Sequence, residues 1–376
     1  MSTHLNSTKF VSEVQSLVNG TVPSSDNSTI DTGLVAWNKM KISLDESTTG
    51  SAVFSNAIVS TYSLIYTTAT AYVGGVLSPN GDVHFIPRNA AVGQKISNSG
   101  VVSTYSLIYA STSGTYIGGV LSSNGDIHFV PYNANRGQKL NSSGVVSTYS
   151  LIYTTATAYA GGVLSPNGDV HCVPSNASIG QKINSSGVVS TYSLIFTTVQ
   201  AYYGGVLSPN GDVHFVPFSA TVGQKINSAG VVSTYSLVYT TLFAFSGGVL
   251  SPNGDVHFIP RSANVGQKIS SVGVVSTYSL VYTATTNPYV GGVLAPNGDI
   301  HFVPFSTSMG QKISSVGVVS TYSLLYTIAQ AYGGGVLSST GDIYFVPYAA
   351  NAGMKLSILS GFNFKNIALS PFFNKI

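Results

Sequence analysis

From about residue 59 the chain is written in short bursts of apolar residues separated by turn-forming ones. In Val101–Tyr109, VVSTYSLIY, β-branched and aromatic residues are interleaved with Ser and Thr, the mark of a strand. Tyr72–Ser78, YVGGVLS, is a second such run, and its paired glycines suit a crowded place where backbones approach closely. Pro79-Asn80-Gly81-Asp82 follows. Asn-Gly between two strand-like runs signals a hairpin, because both central residues of a type I′ turn need positive φ. Val83–Pro87, VHFIP, is a third strand ended by its proline, and Val92–Ser97, VGQKIS, a fourth. No part of this stretch carries the 3.6-residue period of a helix. Bulky residues stand on both faces of the first run: Val101, Tyr105 and Leu107 on one, Val102 and Ile108 on the other. That predicts a sheet packed between two neighbours rather than one with a wet face.

The four runs recur. The Gly-Gly pair begins at Gly74, Gly118, Gly161, Gly204, Gly247, Gly291 and Gly334, always 43 or 44 residues apart. Thr-Tyr-Ser-Leu also appears seven times, from Thr61 to Thr321. Four strands per 40 to 50 residues is the signature of a propeller blade. The strand content excludes helical solenoids, and a β-solenoid is the second choice because its coils repeat over fewer residues. The predicted fold is all-β: a seven-bladed β-propeller of four-stranded blades, each about 43 residues, with a short N-terminal helix and extended tails. The first Thr-Tyr-Ser-Leu strand precedes the first Gly-Gly, and the last copy stops at Leu356 without another. The N- and C-terminal segments are therefore expected to meet in one sheet, hiding two edges. In its glycine pairs, repeat length and repeat number the sequence resembles propellers of the kelch and WD-repeat type. The kelch Tyr and Trp positions and the WD dipeptide are missing, and Trp37 lies outside the repeats. The resemblance implies a closed ring and no functional residue.

Three segments result: an N-terminal helix and linker or anchor over 1–57, the propeller over 58–358, and a tail over 359–376. Phe10, Val11, Val14, Leu17 and Val18 share one face of a helix predicted over 5–19, with Gly20 as its cap. A helix this short needs somewhere to dock, on the ring or on a partner.

Composition narrows the function. Only 7% of residues are charged, against about 25% in an average soluble protein, and the net charge of +3 is spread thinly. No basic patch stands ready to neutralise phosphates, so nucleic acid is not an expected partner. No apolar run reaches membrane-spanning length, so no membrane insertion is expected. The N-terminus lacks the basic and apolar regions of a secretory signal. Cys172 stands where other units have Phe and reads as buried filler. The Asn-x-Ser/Thr sites read as products of an Asn- and Ser-rich composition.

Six units hold Asp and His two residues apart: Asp82/His84, Asp126/His128, Asp169/His171, Asp212/His214, Asp255/His257 and Asp299/His301; the seventh pairs Asp342 with Tyr344. On a strand these share a face. One Asp and one His make too small a set for zinc, and equivalent positions in different blades cannot converge on one ion. The preferred reading is a structural strut, the Asp stabilising its turn and the His bonding within or between blades, with no metal and no cofactor. Each unit also has one lysine, Lys95 in the first and Lys355 in the last, as a possible partner for the Asp. No nucleophile elbow, phosphate loop or dinucleotide fingerprint occurs. The acidic residues outside the units, from Glu13 to Glu46, do not suggest a glycosidase pair. A protein that is not an enzyme is expected.

Differences between the copies point to binding. One variable position follows the third-strand proline: Arg88, Tyr132, Ser175, Phe218, Arg261, Phe305 and Tyr348. A second variable region joins the first two strands and brings in Tyr72, Tyr116, Tyr202 and Phe243. Aromatic and Arg anchors dominate protein contacts. Low charge, a Gly/Ser/Thr/Asn/Tyr-rich surface and near-identical repeats resemble bacteriophage or viral particle proteins. That resemblance implies a structural or attachment protein of a virion or another extracellular assembly, with partners among other assembly proteins and a host-surface glycan or protein. The alternatives are a lectin-like propeller with sugar sites between blades and an intracellular, cytoplasmic interaction scaffold.

Overall fold

The computed structural model describes residues 44–46, 52–54, 57–110, 113–283, 287–326 and 328–358. Seven four-stranded antiparallel sheets between Ala57 and Ile358 make up a β-propeller. Blade 1 consists of Tyr72–Leu77, Val83–Pro87, Val92–Ile96 and Val102–Ser106, in that spatial order from the axis outward. Blades 2 to 6 repeat it. Blade 7 takes three strands from Tyr332–Leu337, Asp342–Pro347 and Gly353–Ile358, and its fourth is Ala57–Tyr62 from the other end of the chain. The expected meeting of the two ends in one sheet is observed. Residues 5–19 and 359–376 lie outside the described residues. A separate antiparallel pair, Leu44–Glu46 with Ala52–Phe54, belongs to the other compact unit. Among the described residues no helix is long and apolar enough to cross a membrane.

The glycine-pair strand is the innermost. At Tyr159 and Gly162 its register against the second strand slips by one residue, a bulge centred on Gly161 at φ +83. A Cβ there would stand 3.0 Å from the Cα of Gly204 in the next blade, so glycine lets the inner strands close around the axis. Apolar layers fill the wedges between blades. Val76 and Ile86 of blade 1, for example, pack on Tyr116, Ile127, Phe129 and Leu140 of blade 2.

The order of strands within a blade differs from the sequence reading. The Thr-Tyr-Ser-Leu strand closes the preceding blade as its outermost strand rather than opening its own. It is therefore not packed on both faces: Val101 and Ile108 are 61% and 63% exposed on the rim. Its tyrosine does turn inward. A Cβ on Gly137 would collide with the Tyr149 ring, so the ring lies flat over that glycine on the neighbouring strand. Neighbouring blades are also pinned by a buried glutamine. Gln138 Oε1 of blade 2 accepts from the backbone N–H groups of Ile108 and Tyr109, which follow the outer strand of blade 1, at 3.1 and 2.7 Å.

Candidate functional site

The two ends of the ring carry different chemistry. In blade 1 the second strand, Val83–Pro87, lies between Asp82 and Arg88. Asp82 and Arg88 therefore stand on opposite rims, roughly 20 Å apart at about 3.3 Å per residue.

The rim of the Asn-Gly turns holds the Asp–Lys pairs and the histidines. Ser78 Oγ donates to the Asp82 carbonyl (2.8 Å), and Asn80 Oδ1 accepts from the Asp82 N–H (3.2 Å). Lys95 Nζ meets Asp82 Oδ2 at 2.6 Å, and the same pair recurs in every blade through to Lys355 and Asp342 at 2.7 Å. Burial pulls the Asp82 carboxyl upward, but the hydrogen bond and charge of Lys95 win and hold it below the usual range. The histidines sit edge-on to the outer-strand tyrosines. Ring centroids of His128 and Tyr149 are 5.5 Å apart, with Nδ1 3.2 Å from the hydroxyl. Burial pushes the His128 imidazole down to about 4. In blade 7 Tyr344 takes the place of His and meets Tyr62 edge-on at 5.4 Å. No three His, Cys, Asp or Glu gather to hold a metal among the described residues. Clefts of about 70 Å³ lie between blades on this rim, one lined by Asp255, His257, Lys268 and Tyr278 with the facing turn at Ser314 and Ser315.

The other rim carries the variable residues, and the ring brings most of them together. Arg88 of blade 1 donates from Nη1 to the Tyr348 hydroxyl of blade 7 at 2.7 Å, and its guanidinium lies 5.4 Å from that ring's centre. Tyr348 meets Phe305 of blade 6 at 5.7 Å. Arg261 of blade 5 stands between Phe305 at 5.6 Å and Phe218 of blade 4 at 5.0 Å. Phe218 in turn contacts Tyr203 at 5.5 Å and Phe243 at 5.1 Å. Tyr132 of blade 2, Tyr203 and Tyr348 rest on Val73, Ile117 and Ala160 of the inner strands. Residues from opposite sides of a seven-membered ring can touch only over its axis, so this is an axial mouth. Burial pushes the Tyr203 phenol up to about 12, although Arg261 and Arg88 pull the other way.

The backbone beneath is braced. Thr115 N donates to the Arg88 carbonyl, Ala158 N to that of Tyr132, and Ala331 N to that of Phe305. The residue two positions before the inner strand is left-handed in each blade, yet it is Thr70, Thr157, Gln200, Phe243, Asn287 or Gln330 in six of them and Gly114 in one. A side chain in that region costs about 1 kcal/mol or more. Asn133 and Asn176 offset part of the cost, each accepting from the strained N–H (2.8 Å at Thr157, 2.6 Å at Gln200).

Of the loop candidates, Arg88, Tyr132, Phe218, Arg261, Phe305, Tyr348 and Phe243 stand at the mouth. Tyr72, Tyr116 and Tyr202 do not. They are fully buried, and their hydroxyls donate to the third-strand carbonyls of Val92, Arg136 and Val222 at 3.0–3.1 Å. A tyrosine beside a variable loop can still point into the blade when its strand has begun. Sequence reasoning missed Tyr203 and Ser246, one residue further along the inner strand. The signal was present: that position runs Val73, Ile117, Ala160, Tyr203, Ser246, Val290, Gly333, varying inside an otherwise constant phrase.

No family model and no curated protein sequence matches the chain. Solved structures match its shape. A streptogramin B lyase shares 20% identity at a TM-score of 0.71, covering 81% of this chain and 98% of its own. A catalytically inactive virginiamycin B lyase from Staphylococcus aureus with quinupristin gives 17%, 0.70, 80% and 99%. The extracellular domain of a hybrid two-component system from B. thetaiotaomicron gives 9% and 0.62, covering 81% of this chain and 43% of its own. At these identities the likeness shows the fold. It replaces the kelch and WD comparison with propellers of lyases and of a two-component system's extracellular domain. It also overturns the expectation of a protein that is not an enzyme: propellers of this build include lyases, so missing nucleophile and nucleotide motifs do not carry that conclusion.

Proposed function

We propose that the chain is a recognition propeller that captures its ligand or partner at the axial mouth and uses the opposite rim as scaffold. One observation carries the reading. Departures from the repeat in five blades, Arg88, Tyr132, Tyr203, Arg261 and Tyr348, cluster over the axis, where strict repetition would have placed seven copies of one residue. Drift in unconstrained loops would not gather aromatic and Arg residues in one place, nor keep side chains at strained left-handed positions. Buried aromatic and Arg anchors are the groups that dominate binding energy. In the virion or extracellular-assembly setting that the composition suggests, the mouth contacts a host surface or a neighbouring subunit. The extracellular domain among the structural neighbours supports placing such a ring outside the cell.

The inter-blade clefts support a second reading, a lectin. Asp, Lys, His, Tyr and Ser groups facing a small cavity suit a neutral polyol, and the blades repeat them. A thermal-shift screen over glycans, peptides and small organic acids separates the two. It is run on the native chain, on Arg88→Ala/Arg261→Ala, and on Lys225→Ala/Lys268→Ala. The mouth reading expects hits that vanish only in the arginine variant. Hits that survive there and weaken in the lysine variant, which removes the lysine from two of the repeated clefts, transfer the function to the clefts. Because lyases share this fold, recovered ligands are weighed by mass spectrometry to read turnover in the same experiment.

A further inference from the structure

We propose that the mouth is built for an oxyanion, a carboxylate or a phosphoryl or sulfate group, carried on a flat apolar body, with Arg261 as its principal cation and Arg88 as the second. This rests on the reading of the mouth as the recognition site and names what is recognised there.

The charge of the ring leads to it. Between residues 59 and 358 there are seven Lys, seven Asp and no Glu. Every one of those lysines is paired with an aspartate on the far rim. What remains is arginine, of which the whole chain has three: Arg88, Arg136 and Arg261. Two of the three converge on the mouth. Among the described residues no carboxylate forms an ion pair with either.

The geometry says where the anion goes. Arg261 is held between the rings of Phe218 and Phe305. Aromatic faces attract the guanidinium plane but leave its N–H edge free, and five donors point from that edge. Nε is buried and has no hydrogen-bond partner. Ser246, on the inner strand of the same blade, is fully buried and its Oγ is also without a partner. The other buried orphans in the described residues are His, Gln and Tyr atoms at positions that at least six of the seven blades repeat. These two belong to the variable positions of blade 5 alone. Buried polar groups are almost always satisfied, and an exception calls for an ion or a water. A half-buried guanidinium whose Nε is sealed from water and has no counter-charge is costly, and an oxyanion supplies both the charge and the acceptors. On the two sides of Arg261, Phe218 with Phe243 and Phe305 with Tyr348 form two aromatic pairs, and either suits a flat apolar body.

Isothermal titration of the full chain with benzoate, phenyl phosphate, inorganic phosphate and neutral benzyl alcohol tests this. Benzoate or phenyl phosphate should bind more tightly than benzyl alcohol, and the better of the two identifies the anion class. Arg261→Gln should weaken the anion at least tenfold and leave benzyl alcohol unchanged. Arg261→Lys should recover part of the loss, while Arg88→Gln and Ser246→Ala should each cost severalfold. If Arg261→Gln does not fold, the Lys and Arg88 variants and a loss of anion affinity with added salt carry the same test. Equal binding of benzoate and benzyl alcohol, both lost in Tyr348→Ala, overturns the oxyanion and keeps the mouth as the recognition site. Binding that no mouth substitution alters overturns both.

Discussion

Glycine decides the axis, one residue at a time. Gly204 and Gly291 occupy the same place in blades 4 and 6, at φ +83 and +77. Their surroundings differ. A Cβ on Gly204 would stand 2.9 Å from the Cα of Gly247, whereas one on Gly291 meets nothing within 4 Å. Alanine at either site carries the left-handed penalty of about 1 kcal/mol. Only Gly204→Ala adds crowding of backbone against backbone, for which about 2 kcal/mol is the expected scale. Chemical denaturation should therefore rank Gly204→Ala about 2 kcal/mol below Gly291→Ala; equal losses would mean that the inner strands do not touch. This much was legible, because paired glycines in a strand announce close approach. The inward tyrosines Tyr72, Tyr116 and Tyr202 were not, since nothing in a sequence marks the residue at which a loop becomes a strand. The glutamine that pins neighbouring blades at six of the seven junctions was also hidden. Its partners are backbone N–H groups about 30 positions earlier, which carry no side-chain signal.

At the level of elements, the sequence shows four strands per unit but not which of them begins a blade. A tandem repeat has no internal punctuation, and the frame is set only by where the ring is cut. That cut lies at Ala57–Tyr62, which completes blade 7 beside Gly353–Ile358. Tyr62 covers Gly353 as the other outer tyrosines cover their glycines, and its hydroxyl donates to the Phe345 carbonyl at 3.0 Å. The strand is therefore an ordinary outer strand held in a noncovalent closure, and its contribution can be removed without touching the other six blades. A chain beginning at residue 57 should melt with the full-length ring. One beginning at residue 67 loses the outer strand of blade 7, leaves an edge unpaired, and should melt lower by on the order of 5–10 °C. A synthetic peptide of residues 57–66 should restore the difference. If the shorter chain melts unchanged, closure does not depend on this strand.

In the whole molecule, seven-fold repetition was the most legible property, because the count of phrases is the count of blades. The mouth was legible only in part. Variable positions can be read from the copies, but their convergence follows from a ring that brings blades 1, 4, 5 and 7 face to face across an axis. Repetition also multiplies whatever a single blade does, and this gives the ring a pronounced acid sensitivity. Burial pushes His84, His128, His171, His214 and His257 down to about 4 and His301 to about 3; the nearby lysine adds to the effect and the aspartate opposes it. All six are less than 7% exposed. The unfolded chain binds protons at these residues below about 6.5 and the folded chain does not. Their contribution is thus complete above pH 6.5 and is lost as pH falls from there to about 4. Each such group loses about 1.4 kcal/mol per pH unit for its proton, the six losses add, and an ordinary protein has only about 5–15 kcal/mol of stability in all. Asp82 and Asp255, held below the usual carboxylate range, add their own loss only at still lower pH. The melting temperature should therefore fall steeply between pH 6.5 and 4.5, with an uptake of about five protons on unfolding at pH 5. His128→Tyr, which copies the arrangement of Tyr344 in blade 7, should reduce that uptake by about one. A melting temperature that stays level across this range would mean that the histidines are charged in the folded ring, and that the edge-on tyrosines do not shield them from water.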